Sequence, residues 1–146
     1  STTARAFTVS GYDYYGQAMS EVITVAVAGT AVTGKKAFFQ VSGATIAGSA
    51  TVVLMGTSDV LGLPVRVTNV AYVASVKSNS TLAQDAGTFV AADTAAATTS
   101  TGDVRGTYTP ATASDGIVRT VMGILLPAIS VGPNSTRTGA LGVTQA

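Results

Sequence analysis

A glycine-bounded segment near residue 30 is the first place where residue types and spacing could do chemistry. Gly29-Thr30-Ala31-Val32-Thr33-Gly34-Lys35 matches the start of the phosphate-binding pattern G-x-x-x-x-G-K-[ST]. Lys36 fills the next position, where that loop needs a hydroxyl for Mg²⁺, and the residues that follow alternate like a strand instead of opening a helix. A hairpin loop between two glycines therefore explains this segment better than a nucleotide site.

Acidic residues are the other candidates for catalysis or metal binding, because the chain has no histidine and no cysteine. A nucleophilic Ser or Thr would need Lys or a carboxylate as its base, and neither S-x-x-K nor G-x-S-x-G occurs. The acids lie far apart, mostly beside turn residues, where Asp usually caps a turn. We therefore expect no enzyme, no metal site and no cofactor. The acids are Asp13, Glu21, Asp59, Asp85, Asp93, Asp103 and Asp115.

Tyrosine is concentrated at one place, since Tyr12, Tyr14 and Tyr15 lie between Gly11 and Gly16. One interpretation is a connection between two strands whose rings fold back over the core. The other is a contact surface, because tyrosine offers a large amphipathic area at low side-chain entropy cost. Three neighbouring rings cannot all point inward, so both interpretations can hold together.

Charge is scarce along the whole chain. Eight basic and seven acidic residues give a net charge of +1, and only Lys35-Lys36 places two like charges side by side, which we expect in a solvated loop. No basic face is available to neutralise a phosphate backbone, so we do not expect nucleic acid as a partner. No segment approaches the ~18 apolar residues that cross a membrane, so we expect no membrane either. A surface with so few charges suits a component of a protein assembly.

Strands must position these residues, because threonine and valine abound while Glu, Lys, Leu and Gln are scarce. The candidate strands are short and bounded by turn residues, with no helical segment between them, which is typical of an antiparallel β-sandwich. We expect an all-β fold, and a jelly roll first among the sandwiches. The nine candidates are residues 5–10, 20–27, 36–42, 51–55, 64–67, 70–77, 88–92, 104–109 and 117–126.

Residues 1–146 are expected to form a single domain, with a core over about 5–130. Residues 91–103, rich in Ala and Thr, are predicted to be a long surface loop, and residues 131–146 an extended tail. In residues 36–42 the alternation places Ala37, Phe39 and Val41 on the core face and leaves Phe38 exposed. The contact residues predicted on these grounds are Tyr12, Tyr14, Tyr15, Phe38 and Arg5.

Several blocks of sequence, in a fixed order, carry a resemblance to a known family. They cover roughly residues 11–127, and their order is more specific than any single block. The blocks are 13–17 with Met19 and Glu21, 34–38, 59–64, 87–93, 101–110 and Asp115-Gly116. With them the chain resembles the cement or decoration proteins of tailed-bacteriophage heads, and is similar to the jelly-roll cement protein of a Bordetella phage.

The resemblance implies a non-enzymatic protein on the outer surface of the virion, made in the host cytoplasm. Its partner would be the major capsid protein, whose neighbouring subunits it joins against the pressure of packaged DNA. Self-association, as a dimer or a larger oligomer at symmetry axes, is also implied. Binding would rest on shape, apolar contact and backbone hydrogen bonds, including strand addition, because few charges are present.

Two other functions fit the residues themselves. A carbohydrate-binding or adhesion module, such as part of a tail spike or fibre, could use Tyr12, Tyr14 and Tyr15 to stack on sugars. A structural subunit that polymerises by itself, such as a tail tube, would also be β-rich and poor in charge. Glycan binding would indicate the first, and sedimentation of the free protein would separate the second from a cement protein.

Overall fold

The fold is all-β, as the composition predicts. The computed structural model describes residues 4–27, 29–49, 52–79, 83–125 and 143–146. Within these residues there are eight strands and one short 3₁₀ turn, Val70–Tyr72, and every strand pairing is antiparallel. The strands are β1 Arg5–Tyr12, β2 Ala18–Val25, β3 Gln40–Ile46, β4 Leu61–Gly62, β5 Val73–Ser78, β6 Thr88–Val90, β7 Thr107–Thr109 and β8 Thr120–Ile124.

The largest sheet has the order β2-β1-β3, with β1 in the centre. A turn over residues 13–17 joins β1 to β2, and Gly16 adopts the positive φ of 76° that this turn requires. On the other side of β1, Ser10 pairs with Gly43 while Gly11 pairs with Val41, which leaves Ser42 as an extra residue in β3. Such a bulge bends the strand and strengthens its twist.

Two smaller sheets, β4-β7-β6 and β5-β8, surround the main apolar cluster. Leu63, Val67, Val76 and Tyr108 are buried there, and half-buried side chains from β6 and β8 pack against them. Leu63 and Val67 belong to no strand pairing. Their backbone amides instead donate to the carbonyls of Gly106 and Arg105, so single hydrogen bonds hold this segment to the chain before β7.

Asp85 and Tyr108 form the polar edge of this cluster. The Tyr108 hydroxyl donates to the Asp85 carboxylate at 2.5 Å, and Ser78 and the amides of Gly87 and Ala111 donate to the same carboxylate. These donors, Tyr108 foremost, lower the pKa of Asp85 to about 2. Burial, together with the hydrogen bond to Asp85, raises the pKa of Tyr108 to about 12.

Most predicted strands are present with shifted bounds, but three predictions were wrong. Residues 52–55 form no strand and are exposed, while residue 51 lies outside the described residues. Residues 64–67 are not a strand. Residues 36–39 are not a strand either, because the amides of Lys36 and Ala37 donate to the carboxylates of Glu21 and Asp103 instead of to a neighbouring strand.

The predicted core face of residues 36–42 was also wrong. Phe39 and Val41 are exposed, Phe38 is half-buried instead of exposed, and Lys36 is buried. A two-residue alternation holds only inside a strand, and β3 begins at Gln40, after this segment.

Residues 91–103 contain no strand, as expected for a loop, and make an isolated parallel bridge between Ala96 and Thr144. They are not wholly at the surface, because Ala92 and Asp103 are buried. The predicted tail falls largely outside the described residues. Of its described part, Val143 is buried and Thr144 makes that bridge. The described residues include no helix with the length and apolar character needed to cross a membrane.

Replacing Asp85 by Asn should remove an acid-dependent part of the stability. Because the pKa of Asp85 is depressed from 3.8 to about 2, its contribution is present above about pH 4 and is lost as the pH falls towards 2. The raised pKa of Tyr108 acts in the opposite sense, so its contribution is present below pH 10 and is lost as the pH rises towards 12. Urea unfolding of wild type and Asp85→Asn across this pH range measures the loss of stability at acid pH and at alkaline pH.

Tyr108→Phe is the matched control. It removes the hydroxyl but keeps the buried ring, so it should remove the contribution of Tyr108 to the loss of stability at alkaline pH and reduce that of Asp85 at acid pH. Equal pH slopes for wild type and both variants would contradict this assignment.

Candidate interaction surface

Three exposed rings form an aromatic cluster beside the largest sheet: Tyr14, Tyr15 and Phe39. The Tyr14 ring lies edge-to-face against the Tyr15 ring at 5.3 Å and against the Phe39 ring at 5.7 Å between centroids. Tyr14 is 69% exposed and Phe39 is 70% exposed. Tyr12, also exposed, ends β1 opposite Gln40, the residue after Phe39. These aromatic side chains therefore lie at one end of the β1–β3 pair.

The turn that displays the tyrosines is built around the buried carboxylate of Asp13. Its Oδ1 accepts hydrogen bonds from the amides of Tyr15 at 2.9 Å and Gln17 at 2.8 Å. Burial would raise the pKa of this carboxyl, but the Gln17 amide, Arg105 and Gln145 outweigh burial, so the pKa is lowered. Asp13 is therefore held in the charged form that orders the turn.

A buried ion pair ties this turn to the chain before β7. Arg105 Nη1 donates to Asp13 Oδ2 at 2.8 Å, and the two side chains are only 4% and 3% exposed. The Arg105 guanidinium lies 4.7 Å from the centroid of the Tyr15 ring. The Nε and Nη2 atoms of Arg105 have no hydrogen-bond partner among the described residues. The Tyr15 hydroxyl donates to the Pro64 carbonyl at 2.6 Å. The ring is therefore fixed by Arg105 on its face and by this hydrogen bond at its hydroxyl.

Two more buried carboxylates hold the segment that displays Phe39. Glu21 accepts from the amides of Lys35 at 2.7 Å and Lys36 at 3.1 Å, and Asp103 accepts from the amide of Ala37 at 3.0 Å. The Phe39 amide then donates to the Tyr12 carbonyl at 3.0 Å. Hydrogen bonds to Glu21, Asp103 and the Tyr12 carbonyl therefore hold the backbone of residues 35–39, although residues 36–39 form no strand.

Lys36 supplies the buried positive charge near these carboxylates. Its Nζ donates to the Ser20 carbonyl at 2.8 Å. Burial lowers the pKa of Lys36, while the charges of Glu21 and Asp103 oppose that shift. Lys36 was predicted to lie in a solvated loop with Lys35, and that prediction was wrong for Lys36.

A cavity of about 280 Å³ lies beside the aromatic cluster. Its lining includes apolar side chains and the ion pair: Tyr14, Phe38, Leu63, Pro64, Asp13 and Arg105. An engineered cavity of about 150 Å³ suffices to bind benzene, so this cavity has room for one bulky side chain of a partner.

All seven carboxylates of the chain accept hydrogen bonds from backbone amides. Besides Asp13, Glu21, Asp85 and Asp103, Asp59 accepts from Ser114, Asp93 from Gly102, and Asp115 from Ile117 and Val118. The Val118 and Ile117 amides lower the pKa of Asp115. The turn-capping interpretation is confirmed for Asp13, Asp85, Asp103 and Asp115, whose carboxylates accept from amides two to four residues further on. Glu21, Asp59 and Asp93 instead accept from amides nine or more residues away.

The structure brings together only part of the predicted contact set. Tyr14 and Tyr15 touch and are exposed, and Tyr12 is exposed nearby. Arg5 is half-buried at the opposite end of β1, about 23 Å along the strand from Tyr12. Phe38 lines the cavity from a half-buried position, and its neighbour Phe39 is the exposed ring.

Sequence reasoning missed two features of this surface. Phe39 was placed in the core by an alternation that does not apply there, and no sequence signal pairs Arg105 with Asp13 across 92 residues. It also assigned residues 52–55 to a strand. These residues are Val, Val, Leu and Met, all exposed, with Leu54 at 93%. The hydrogen bonds found among the described residues include none from residues 52–57. Residues 52–55 are therefore a run of exposed apolar side chains outside the strands of the described chain.

Comparisons of the chain with family models, with curated proteins and with solved structures find no match.

Breaking the Asp13–Arg105 pair should destabilise the protein in an asymmetric way. Asp13→Asn leaves a buried guanidinium facing an amide, so we expect a loss of about 3–5 kcal/mol in the free energy of unfolding. Arg105→Met should cost less, because Asp13 keeps the amides of Tyr15 and Gln17 and the side chain of Gln145 as donors. Urea unfolding of both variants measures this order.

The double variant Asp13→Asn/Arg105→Met completes the cycle. It should cost clearly less than the sum of the two single losses, because the second change removes the charge that the first leaves unpaired. Strict additivity, or single losses within about 0.5 kcal/mol of wild type as at ordinary surface sites, would contradict the coupling.

Proposed function

We propose that this protein is a capsid cement protein that attaches to the outside of a tailed-phage head and joins neighbouring major capsid subunits. The sequence resemblance indicates the major capsid protein as the partner and the outer surface of the phage head as the location. The observation that carries the proposal is the exposed aromatic cluster, Tyr14, Tyr15 and Phe39, beside a cavity and an uncharged edge strand. It is a ready contact surface for another protein.

Aromatic side chains often contribute much of the binding free energy of a protein interface. Aromatic residues dominate interface hot spots, and a ring already fixed by its neighbours loses little entropy on binding. Tyr15 is fixed by Arg105 and by the Pro64 carbonyl, and Tyr14 by the rings on either side. The cluster is therefore pre-organised for contact.

The outer edge of β3 adds a backbone surface to the aromatic one. Among the described strands β3 pairs only with β1, six of its seven residues are exposed, and none of them is charged. An extended segment of a capsid subunit could pair with this edge, with the aromatic cluster at its end. The exposed residues 52–55 provide a second apolar contact, with no charge to desolvate.

Many copies would bind one head, so each contact needs only modest affinity for the layer to be durable. Self-association at symmetry axes belongs to the same proposal. So does the finer fold, a single-domain β-sandwich of the jelly-roll type. Its support is the short strands and their uniformly antiparallel pairing. We assign neither nucleic acid nor membrane as a partner, and no enzymatic activity.

A carbohydrate-binding module of a tail spike or fibre is the alternative function. The rings beside a cavity favour it, since sugars stack on such rings. The polar side chains beside the rings give it little support, because Asp13 and Asp103 are buried and bonded within the chain and Arg105 Nη1 is bonded to Asp13. Only Arg105 Nε and Nη2 have no partner among the described residues. Binding of the free protein to a glycan array, abolished by Tyr14→Ser, would replace the cement proposal with this one.

Removing the exposed rings should weaken attachment without unfolding the protein. Tyr14→Ser and Phe39→Ser should each lower the affinity for capsids that lack the protein by tenfold or more, because each deletes a braced hot-spot ring. Co-sedimentation of purified protein with such capsids measures the occupancy, and a urea midpoint close to wild type shows that the fold is kept.

Ile117→Ser is the control, since it removes an equally exposed apolar side chain far along the chain from the cluster. It should bind like wild type. Equal losses for all three variants, or none for the two aromatic ones, would contradict an aromatic attachment surface.

Attachment should depend little on salt. The contact surface proposed here contains no exposed charged residue, so there are few ion pairs for salt to screen. We expect capsid occupancy to change by less than about threefold between 50 mM and 1 M NaCl. A tenfold loss over that range would mean that charged residues elsewhere make the contact.

A further inference from the structure

The four residues 143–146, called here the end segment, occupy a groove formed by distant parts of the chain. The groove lies between the outer edge of β2 and residues 95–97. On one side, Thr144 donates its amide to the Ala95 carbonyl at 2.7 Å, and Thr144 accepts from the amide of Ala97 at 2.8 Å. This is the pattern of an added parallel strand.

On the other side, the end segment caps the edge of β2. The amide of Ser20 donates to the Ala146 carbonyl at 2.5 Å, and the Ser20 hydroxyl donates to the same oxygen at 3.1 Å. Side chains add to this contact, because Gln145 donates to Asp13 at 3.3 Å and Val143 is only 8% exposed. The groove therefore recognises an extended peptide through main-chain bonds, one apolar side chain and one amide.

The partners of the end segment all lie in residues 13–20 and 95–97, so the same bonds form whichever copy supplies the segment. Seventeen residues, 126–142, separate it from the rest of the described chain. A chain of that length can span at most about 60 Å, which exceeds the ~37 Å diameter that we estimate for a domain of this size. The covalent connection thus lets the segment reach a neighbouring copy.

We propose that the end segment of one copy docks in the groove of a second copy, and that reciprocal exchange links two copies. Exchange of an identical element costs little, because each groove is filled by the same four residues as before. The choice between the two arrangements depends on local concentration, since a short tether gives an effective concentration in the millimolar range. A crowded lattice of copies supplies that concentration, and here the inference rests on the proposed function.

Paired cysteines test the exchange directly, because the chain has no cysteine of its own. Ser20→Cys on one copy and Ala146→Cys on another can form a disulfide only if the end segment lies in the groove of the other copy. The two variants are purified with tags of different mass, mixed at millimolar concentration, oxidised and separated on a non-reducing gel. We expect the mixed disulfide at tenfold or more above the control mixture, Lys77→Cys with Ala146→Cys.

The double variant Ser20→Cys/Ala146→Cys gives the opposing outcome. If it closes only within one chain and the mixed pair stays at the control level, the exchange is wrong. If even the double variant fails to close, the docking itself is wrong. Because this assay needs no capsid, it is separate from the cement proposal: cross-linking without capsid attachment would overturn only the function, and attachment without cross-linking only the exchange.

Discussion

The buried Asp13–Arg105 ion pair is the constraint on which the candidate surface depends. Two charges taken out of water are costly, and their attraction offsets that cost only where further hydrogen bonds satisfy the carboxylate. Asp13 meets this condition with four donors, two of them the amides that shape the β1–β2 turn. The pair thereby joins the hairpin of the largest sheet to the chain entering β7, and the guanidinium supports the Tyr15 ring from beneath. A hydrophobic pair could fill the same volume, but it could not accept the turn amides.

Carboxylates that accept hydrogen bonds from backbone amides recur throughout the described residues. Because several of them are buried, few charges are left on the protein surface. The described strands are short, so many backbone amides have no ladder partner, and carboxylates accept hydrogen bonds from some of them. Five charged side chains are buried among the residues that the structure describes: Asp13, Glu21, Lys36, Asp103 and Arg105. Lys, Glu, Arg and Asp are rarely buried unless they are paired or bonded, and these satisfy that condition. With a third of the chain's 15 charges inside, the exposed surface is left to small polar, aliphatic and aromatic residues.

Composition and periodicity were sufficient to predict the all-β class, the β1–β2 hairpin with its tyrosine-rich turn and the loop over residues 91–103. Predictions from composition and periodicity were wrong where side-chain carboxylates, instead of a neighbouring strand, accept the backbone hydrogen bonds. The alternation of residues 36–42 resembles a strand, yet Glu21 and Asp103 hold its first residues, so the inward and outward positions do not follow a period of two. Arg105 could not be paired with Asp13 in advance, because an ion pair between distant loops leaves no local pattern. Residues 52–55 have the composition of a strand but pair with no described strand, and the absence of a partner leaves no pattern in their own sequence.

The two outer edges of the largest sheet differ: other parts of the chain cover the edge of β2, and no described strand covers the edge of β3. The edge of β2 is covered, since Val22 and Ser20 donate to carbonyls of residues 99 and 146. No described strand covers β3, and its only protection is the bulge at Ser42, with neither the charges nor the proline that natural edges commonly use. An edge with unpaired backbone groups beside exposed aromatic rings is a place where a further strand can pair. The β2 edge is therefore filled by an end segment, whichever copy supplies it, whereas the β3 edge presents, among the described residues, free backbone groups beside exposed rings.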